Sequence, residues 1–384
     1  MPMMPADAER PEDAAWMRRA LALAEGALYA TSPNPRVGCV IVRDGKVLGE
    51  GATQPVGGPH AEVCALRDAR SRGESVQGAT VYVTLEPCSH YGRTPPCVDA
   101  LIEAAPARVV VAMGDPNPRV DGQGLAKLRA AGIAVTTGVC LDDALALNLG
   151  FAARMSRGTP WLWAKMAATL DGRSALPNGR SQWITGEAAR ADGHHWRARS
   201  CAVLTGIGTV LADDPRLDVR HVETGRQPRK IVLDSRLRIS PGARLLDGAE
   251  TWIFTAVEDA GKAAQLADRN ARVICLPDGN GRVDLPAMMQ WLGQHEINEV
   301  HAEAGAQLTG ALLEAGCVDE WLVYLAPMLV GEGAGMAKLP VLEDLAQARR
   351  FAFNDVARVG ADVRLRAQDP ERLAAVRAAV ALRE

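Results

Sequence analysis

The chain has 384 residues, 43 basic against 46 acidic side chains for a formal net charge of −3, and 48% hydrophobic residues. That length suits two domains of ordinary size, each able to bury its own core. The near balance of charge argues against a broad nucleic-acid footprint, and no apolar run approaches the ~20 residues of a membrane-crossing helix.

Residues 1–10 read as a loose tail without the cationic-then-apolar pattern of a signal peptide. Apolar positions at Trp16, Ala20, Leu21, Leu23, Ala24 and Leu28 predict an amphipathic helix over 12–29, broken by Thr31-Ser-Pro-Asn-Pro-Arg36. Strands are expected at 37–42 and 46–51 around an Asp44-Gly45 hairpin turn. A helix starting at His60, a strand at 80–85, a helix starting at Cys97, a strand at 108–113, a helix near 125–131 and a strand at 133–137 follow. Strands alternating with helices after an opening hairpin imply a layered α/β domain. A polar, helix-like connector over 141–158 closes it, so the expected domains are 11–158 and 159–384.

The second half restarts with a strand over 161–168 running into Asp171-Gly172. Further strands are expected at 201–204, 230–234, 251–255, 273–276, 299–302 and 321–325, with helices at 187–200, 287–295 and 307–315. Residues 277–282 read as a surface loop, and 371–383 as a terminal helix or a frayed tail. Eight cysteines at irregular spacing fit a reducing compartment better than a disulfide framework, so the expected location is the cytoplasm.

The strongest chemical signal is His60-Ala61-Glu62, followed after a strand by Pro87-Cys88 and later Cys97. One imidazole and two thiols make three zinc ligands, one short of a closed tetrahedral site. Zinc in such a site lowers the pKa of a water in the open position to about 7. Glu62 lies two residues past the first ligand, free to move a proton between water and a departing amine. This is the layout of zinc-dependent nucleobase deaminases. His60 and Cys97 both stand at helix starts, where the positive end of the helix dipole favours thiolate over thiol. A structural zinc would need a fourth ligand and would have no use for Glu62.

The spacing between the cysteines narrows the family. Eight residues separate them, Ser89-His-Tyr-Gly-Arg-Thr-Pro-Pro96, where deaminases of this class more often have two. With Asn34-Pro35 and Val37-Gly38, that insert resembles the bifunctional deaminase/reductase family of riboflavin biosynthesis. The likeness continues through Lys165, Asp171-Gly-Arg173, Ser181-Gln-Trp-Ile-Thr185, Leu211-Ala-Asp-Asp-Pro215, Leu233-Asp-Ser235 and Glu303-Ala-Gly305, and so covers roughly residues 16–365. It implies a cytidine-deaminase-like layered α/β/α domain in front and a dihydrofolate-reductase-like α/β domain behind. It also implies deamination of a diaminopyrimidinone ribosylamino 5′-phosphate, then NADPH-dependent reduction of its ribosyl group to ribityl. A dimer or tetramer of identical chains goes with the resemblance.

By the same resemblance, His60, Cys88 and Cys97 hold zinc and Glu62 shuttles protons. Asn34 contacts substrate, although Pro-Asn-Pro also reads as a plain turn, and His90 and Arg93 meet its phosphate or belong to a solvated loop. No Gly-x-Gly-x-x-Gly follows a strand in the second half, so a Rossmann domain is not expected. What remains is a strand running through Gly305 into a helix, which either presents free amides to a pyrophosphate or is an ordinary turn. The resemblance assigns NADPH to Ala167, Trp183, Thr209, Asp213, Ser235 and the run Gly305, Ala306, Gln307, Leu308, Thr309, Gly310 and Ala311. It assigns substrate to Ser181, Arg197, Leu217, Arg220 and Glu303, with Arg197 and Arg220 suited to grip the 5′-phosphate. Lys165 and Asp213 are expected to position or polarise the sugar, and Arg236 or Arg238 to read the cofactor's 2′-phosphate. His194 and His195 are expected to serve helix packing and surface. The competing reading is a nucleoside or tRNA-base deaminase carrying an unrelated second domain.

Overall fold

The computed structural model describes residues 9–91, 95–118 and 120–382. The chain divides into two compact units, Met1–Arg157 together with Ala374–Glu384, and Gly158–Leu373. The division after Arg157 falls beside the expected one. The expected rear domain runs to 384, whereas the contacts group the chain from Ala374 with the first unit.

In the front unit, helix α1 (Asp13–Gly26) precedes the antiparallel hairpin β1 (Gly38–Arg43) and β2 (Lys46–Ala52). Then follow α2 (Ala61–Ser71), β3 (Thr80–Val83), α3 (Cys97–Ala104), β4 (Arg108–Val111), α4 (Gln123–Ala130), β5 (Ala134–Thr137) and α5 (Leu141–Arg157). The five strands form one sheet in the order β2-β1-β3-β4-β5, with β3, β4 and β5 parallel. Val81, Val83, Val109, Val110 and Val111 are fully buried, as strands covered on both faces require. Helix α2 presses closely on β2: a Cβ at Gly49 would stand 2.3 Å from the Ala65 carbonyl oxygen, and one at Gly51 2.4 Å from Cys64 Cβ. Only glycine permits that approach, and α2 is the helix that carries His60 at its start and Glu62 in its first turn. A buried ion pair joins α1 to the sheet, with Arg108 Nη1 donating to Asp13 Oδ1 at 2.8 Å and Tyr82 donating to the same oxygen at 2.9 Å.

The rear unit contains β6 (Trp161–Thr169), β7 (Arg173–Ala175), α6 (Glu187–Arg199), β8 (Ala202–Gly206), α7 (Ile207–Asp213) and β9 (Arg229–Leu233). Next come β10 (Thr251–Thr255), α8 (Ala260–Ala267), β11 (Ala271–Cys275), α9 (Leu285–Gln294), β12 (Glu299–Glu303), α10 (Ala306–Glu314) and β13 (Glu320–Ala326). The chain ends with β14 (Ala334–Gly335), β15 (Ala352–Val359), β16 (Asp362–Gln368) and α11 (Pro370–Val380), whose last residues belong to the front unit. Nine strands form one sheet in the order β11-β10-β9-β8-β12-β6-β13-β16-β15. It is parallel from β11 to β13 and antiparallel at β16 and β15. Its core is built on Leu162, Ala202, Leu204, Ile231, Phe254, Val300 and Leu312. The short helices α7 and α8 and the hairpin β15–β16 were not expected from the sequence. No helix among the described residues is long and apolar enough to cross a membrane.

Candidate active sites in the two units

The front site is assembled by two helix starts and one loop. His60 caps α2 in extended conformation, Cys97 is the first residue of α3, and Cys88 lies in the loop between β3 and α3. His60 Nδ1 stands 3.2 Å from Cys97 Sγ and 3.6 Å from Cys88 Sγ, and the three ligand atoms all lie within 4.8 Å of one another. Tetrahedral zinc, about 2.0–2.1 Å from nitrogen and about 2.3 Å from sulfur, sets nitrogen–sulfur separations near ~3.5 Å, so the donor set fits that ion. The Cys97 amide donates to Cys88 Sγ at 3.2 Å, placing an unpaired helix N–H on the sulfur. The bond between the two thiols holds Cys88 low and pushes Cys97 up.

Glu62 is buried and is not among the three ligands. Burial pushes its carboxyl up to about 7, with the Cys88 thiolate adding to the shift. A carboxyl poised there accepts and returns protons near neutral pH. His90 is half-buried, and its Nδ1 has no hydrogen-bond partner among the described residues. The loop carrying it is tied down where Lys127 Nζ donates to the Ser89 carbonyl at 3.0 Å. Asn34 is half-buried in the turn closed by its own amide on Thr31 O (2.8 Å). Among the described residues no hydrogen bond joins Asn34 to the ligand cluster. Arg93 lies outside the described residues.

The rear unit holds two adjoining cavities, of about 820 Å³ and 670 Å³. Both are walled in part by Lys165, Gln182, Trp183, Arg190, Thr209, Asp213 and Glu303. The larger is also lined by Ala167, Ser181, Ser235, Gly305, Ala306, Gln307, Leu308 and Ala311, so most expected cofactor residues meet there. Thr309 and Gly310 do not. Helical periodicity turns them inward: Thr309 is 3% exposed, and a Cβ at Gly310 would stand 1.9 Å from the Lys338 carbonyl oxygen. Ser181, expected with the substrate, lines the larger cavity, whereas Arg197, Leu217, Arg220 and Glu303 line the smaller one.

Arg197 differs from its expected role as a phosphate clamp. Its Nη2 donates to Glu303 Oε2 at 2.8 Å, its Nε pairs with Glu303 Oε1, and its Nη1 donates to Asp218 O at 2.9 Å. A guanidinium already matched to a carboxylate by two parallel bonds has little capacity left for a second anion. Burial pushes the Glu303 carboxyl up, but Arg197 outweighs it and holds the group well below the usual range. Arg220, with half its side chain exposed, stays accessible in the same cavity; its amide donates to His194 Nδ1 at 3.0 Å. Burial and the cations Arg197 and Arg220 lower His194 to about 4, so its ring is neutral, with Nδ1 an acceptor. Lys165 sits beside Glu303 across the β6–β12 register, and burial lowers its pKa. Sequence reasoning missed the wall residues Arg190, His194 and Arg282, which no local pattern sets apart from surface or packing, and left Gln182 without a role inside the stretch Ser181-Gln-Trp-Ile-Thr185.

Comparison with known proteins agrees with this geometry. Residues 10–113 match the cytidine and deoxycytidylate deaminase zinc-binding region, and residues 160–365 match the RibD C-terminal domain. The riboflavin biosynthesis protein RibD of Escherichia coli K12 is 49% identical over 92% of this chain and 98% of its own. That of Aquifex aeolicus is 40% identical over 91% and 97%. Among solved structures, Acinetobacter baumannii RibD superposes with a TM-score of 0.84 at 44% identity, covering 93% of this chain and 98% of that one. A Thermotoga maritima diaminohydroxyphosphoribosylaminopyrimidine deaminase/5-amino-6-(5-phosphoribosylamino)uracil reductase does so with 0.84 at 33% identity over 93% and 98%. Two units, a three-ligand zinc cluster and a double cavity on a dihydrofolate-reductase-like sheet thus share one chain, and that chain belongs to the RibD family of bifunctional, zinc- and NADPH-using deaminase/reductases of riboflavin biosynthesis.

Proposed function

We propose that the front unit deaminates 2,5-diamino-6-ribosylamino-4(3H)-pyrimidinone 5′-phosphate and the rear unit reduces the ribosyl group of the resulting uracil to ribityl. The observation that carries the first step is a buried carboxylate beside three zinc ligands and outside their set. His60, Cys88 and Cys97 hold the metal, and bound zinc supplies acidification of a coordinated water. Glu62 takes the proton that water gives up as its oxygen joins the amino-bearing carbon, and passes a proton to the nitrogen that leaves as ammonia. Asn34 and His90 orient the ring and its ribosyl phosphate, with Arg93 as a further phosphate contact.

For the second step, the wall common to the two cavities supports placing the cofactor's nicotinamide against the sugar. NADPH supplies the hydride. The ammonium of Lys165 polarises the sugar oxygen, Asp213 positions it, and Glu303, locked by Arg197, holds a sugar hydroxyl. Arg220 takes the phosphate. Gly305 to Leu308, at the start of α10, carry the pyrophosphate, and Ala167, Trp183, Thr209, Ser235 and Ala311 line the rest of the cofactor. Ser181 and Leu217 complete the substrate contacts.

A second copy of the chain is the proposed partner. Edge strand β15 exposes Phe353 at 70% and Val356 at 63%, an unpaired apolar strand face of the kind that joins subunits. None of the eight cysteines is in a disulfide, which favours a cytoplasmic setting. The experiment is to supply the diaminopyrimidine ribosylamino phosphate with and without NADPH, following ammonia and NADPH separately. Ammonia release independent of NADPH, then NADPH oxidation only after deamination, supports the scheme; NADPH oxidation without ammonia release refutes it.

A further inference from the structure

NADPH differs from NADH by one phosphate on the adenosine ribose, and the larger cavity carries arginines of the kind that bind one. Four cations line that cavity: Lys165, Arg190, Arg238 and Arg282. Lys165 and Arg190 belong to the wall shared with the substrate cavity, and Arg190 is further engaged, 4.6 Å over the Trp183 ring and donating to Thr185 O at 2.8 Å. That leaves Arg238 and Arg282, which with Ser235 line the larger cavity alone. Arg236, the other arginine of the same turn, does not line the cavity.

Both arginines are held on ordered backbone. The turn after β9 is fixed by Asp234, which is fully buried and accepts the Ile239 amide at 2.8 Å. Arg238 Nε stands 3.9 Å from the other carboxylate oxygen, beyond hydrogen-bond reach, and among the described residues the side chain makes no hydrogen bond. Arg282 lies in the 277–283 loop, where Asp278 accepts the Asn280 and Arg282 amides, each at 2.8 Å. The Val283 amide donates to Ser235 Oγ at 3.2 Å, tying that loop to the turn after β9. The Arg282 side chain makes no hydrogen bond among the described residues. Two arginines on preset, mutually tied backbone segments line the same cavity, and a phosphate monoester carrying about −1.5 to −2 charges is the anion they suit.

We propose that Arg238 and Arg282 together bind the 2′-phosphate of the cofactor and set the preference for NADPH over NADH, an assignment that rests on reading the larger cavity as the cofactor site. The test needs no turnover. Binding of NADP⁺ and of NAD⁺ to the full chain is measured by titration calorimetry for the wild type, Arg238→Ala, Arg282→Ala, the double variant and Arg282→Lys. Each alanine should weaken NADP⁺ by about tenfold, the scale of one charged hydrogen bond at an open site, while NAD⁺ changes less than about twofold. The double variant should bind both nucleotides alike, and Arg282→Lys should recover part of the loss because the charge returns without the fork. Undiminished NADP⁺ binding in both single variants, or equal weakening of both nucleotides, overturns this assignment alone. Failure of the wild type to bind either nucleotide overturns the cofactor site itself and this assignment with it.

Discussion

Replacing Arg197 by Met tests the electrostatic centre of the rear unit. The pair it forms with Glu303 is nearly enclosed, with side-chain exposures of 15% and 18%, and His301 Nε2, fully buried, lies 3.4 Å from the same carboxylate. Removing one partner leaves the other charge buried and uncompensated, a loss of about 3–5 kcal/mol, and the residual exposure favours the lower figure. For a unit of this size each kcal/mol moves Tm by about 2–4 °C, so scanning calorimetry should find the rear-unit transition some ~6–12 °C lower at pH 8. The deficit should shrink as pH falls. In the native chain Glu303 is held below the ordinary carboxylate range, so its stabilisation is present above the unfolded pKa of about 4.3 and is lost only in stronger acid. In the variant, burial raises the carboxyl against only the weaker pull of His301 and Lys165, so it takes up a proton more readily and the uncompensated charge fades as pH falls from 8 to 5. A deficit below about 1 kcal/mol, or one that does not change between pH 8 and pH 5, would refute this reasoning.

Lys165→Ala should leave ammonia release intact while NADPH oxidation falls about 10²-fold or more, because the group sits only in the wall between the rear cavities; equal loss of both activities would contradict separate sites. Gly49→Ala should cost the front unit about 1–3 kcal/mol and reduce zinc retention, measured by melting and metal content, since the new Cβ meets Ala65 and Ala69 backbone at 2.3 and 2.6 Å. The double variant Phe353→Glu with Val356→Glu should lower the molar mass of the assembly seen by light scattering, with the melting curve of the unit preserved.

Local chemistry was legible in the sequence where residue type and spacing carry it. His60, Glu62, Cys88 and Cys97 stand on the helix starts and the loop that their order implied, and the alternation of strands and helices held through most of both units. What escaped was set by distance along the chain or by solvent. Arg197 finds Glu303 across 106 residues, and nothing near either one marks the pair. Strands β15 and β16 form an edge hairpin whose exposed Phe353 and Val356 blur the inward–outward alternation. Helix α7 is seven residues long and contains Gly208, too short to show a 3.6-residue period. The family resemblance assigns the run 305–311 to the cofactor as a whole, yet the helical turn sends Leu308 and Ala311 to the cavity and Thr309 and Gly310 to the packing side.

The most direct test of the account concerns Glu62→Gln, an isosteric change that removes the carboxylate and keeps its shape. Metal content and ammonia release from the diaminopyrimidine substrate are measured on the same preparation. Zinc at about one per chain, with deamination reduced about 10²–10⁴-fold, is the expected result for a proton carrier that does not ligate the metal. Deamination at the native rate, or loss of the zinc together with the activity, would contradict it.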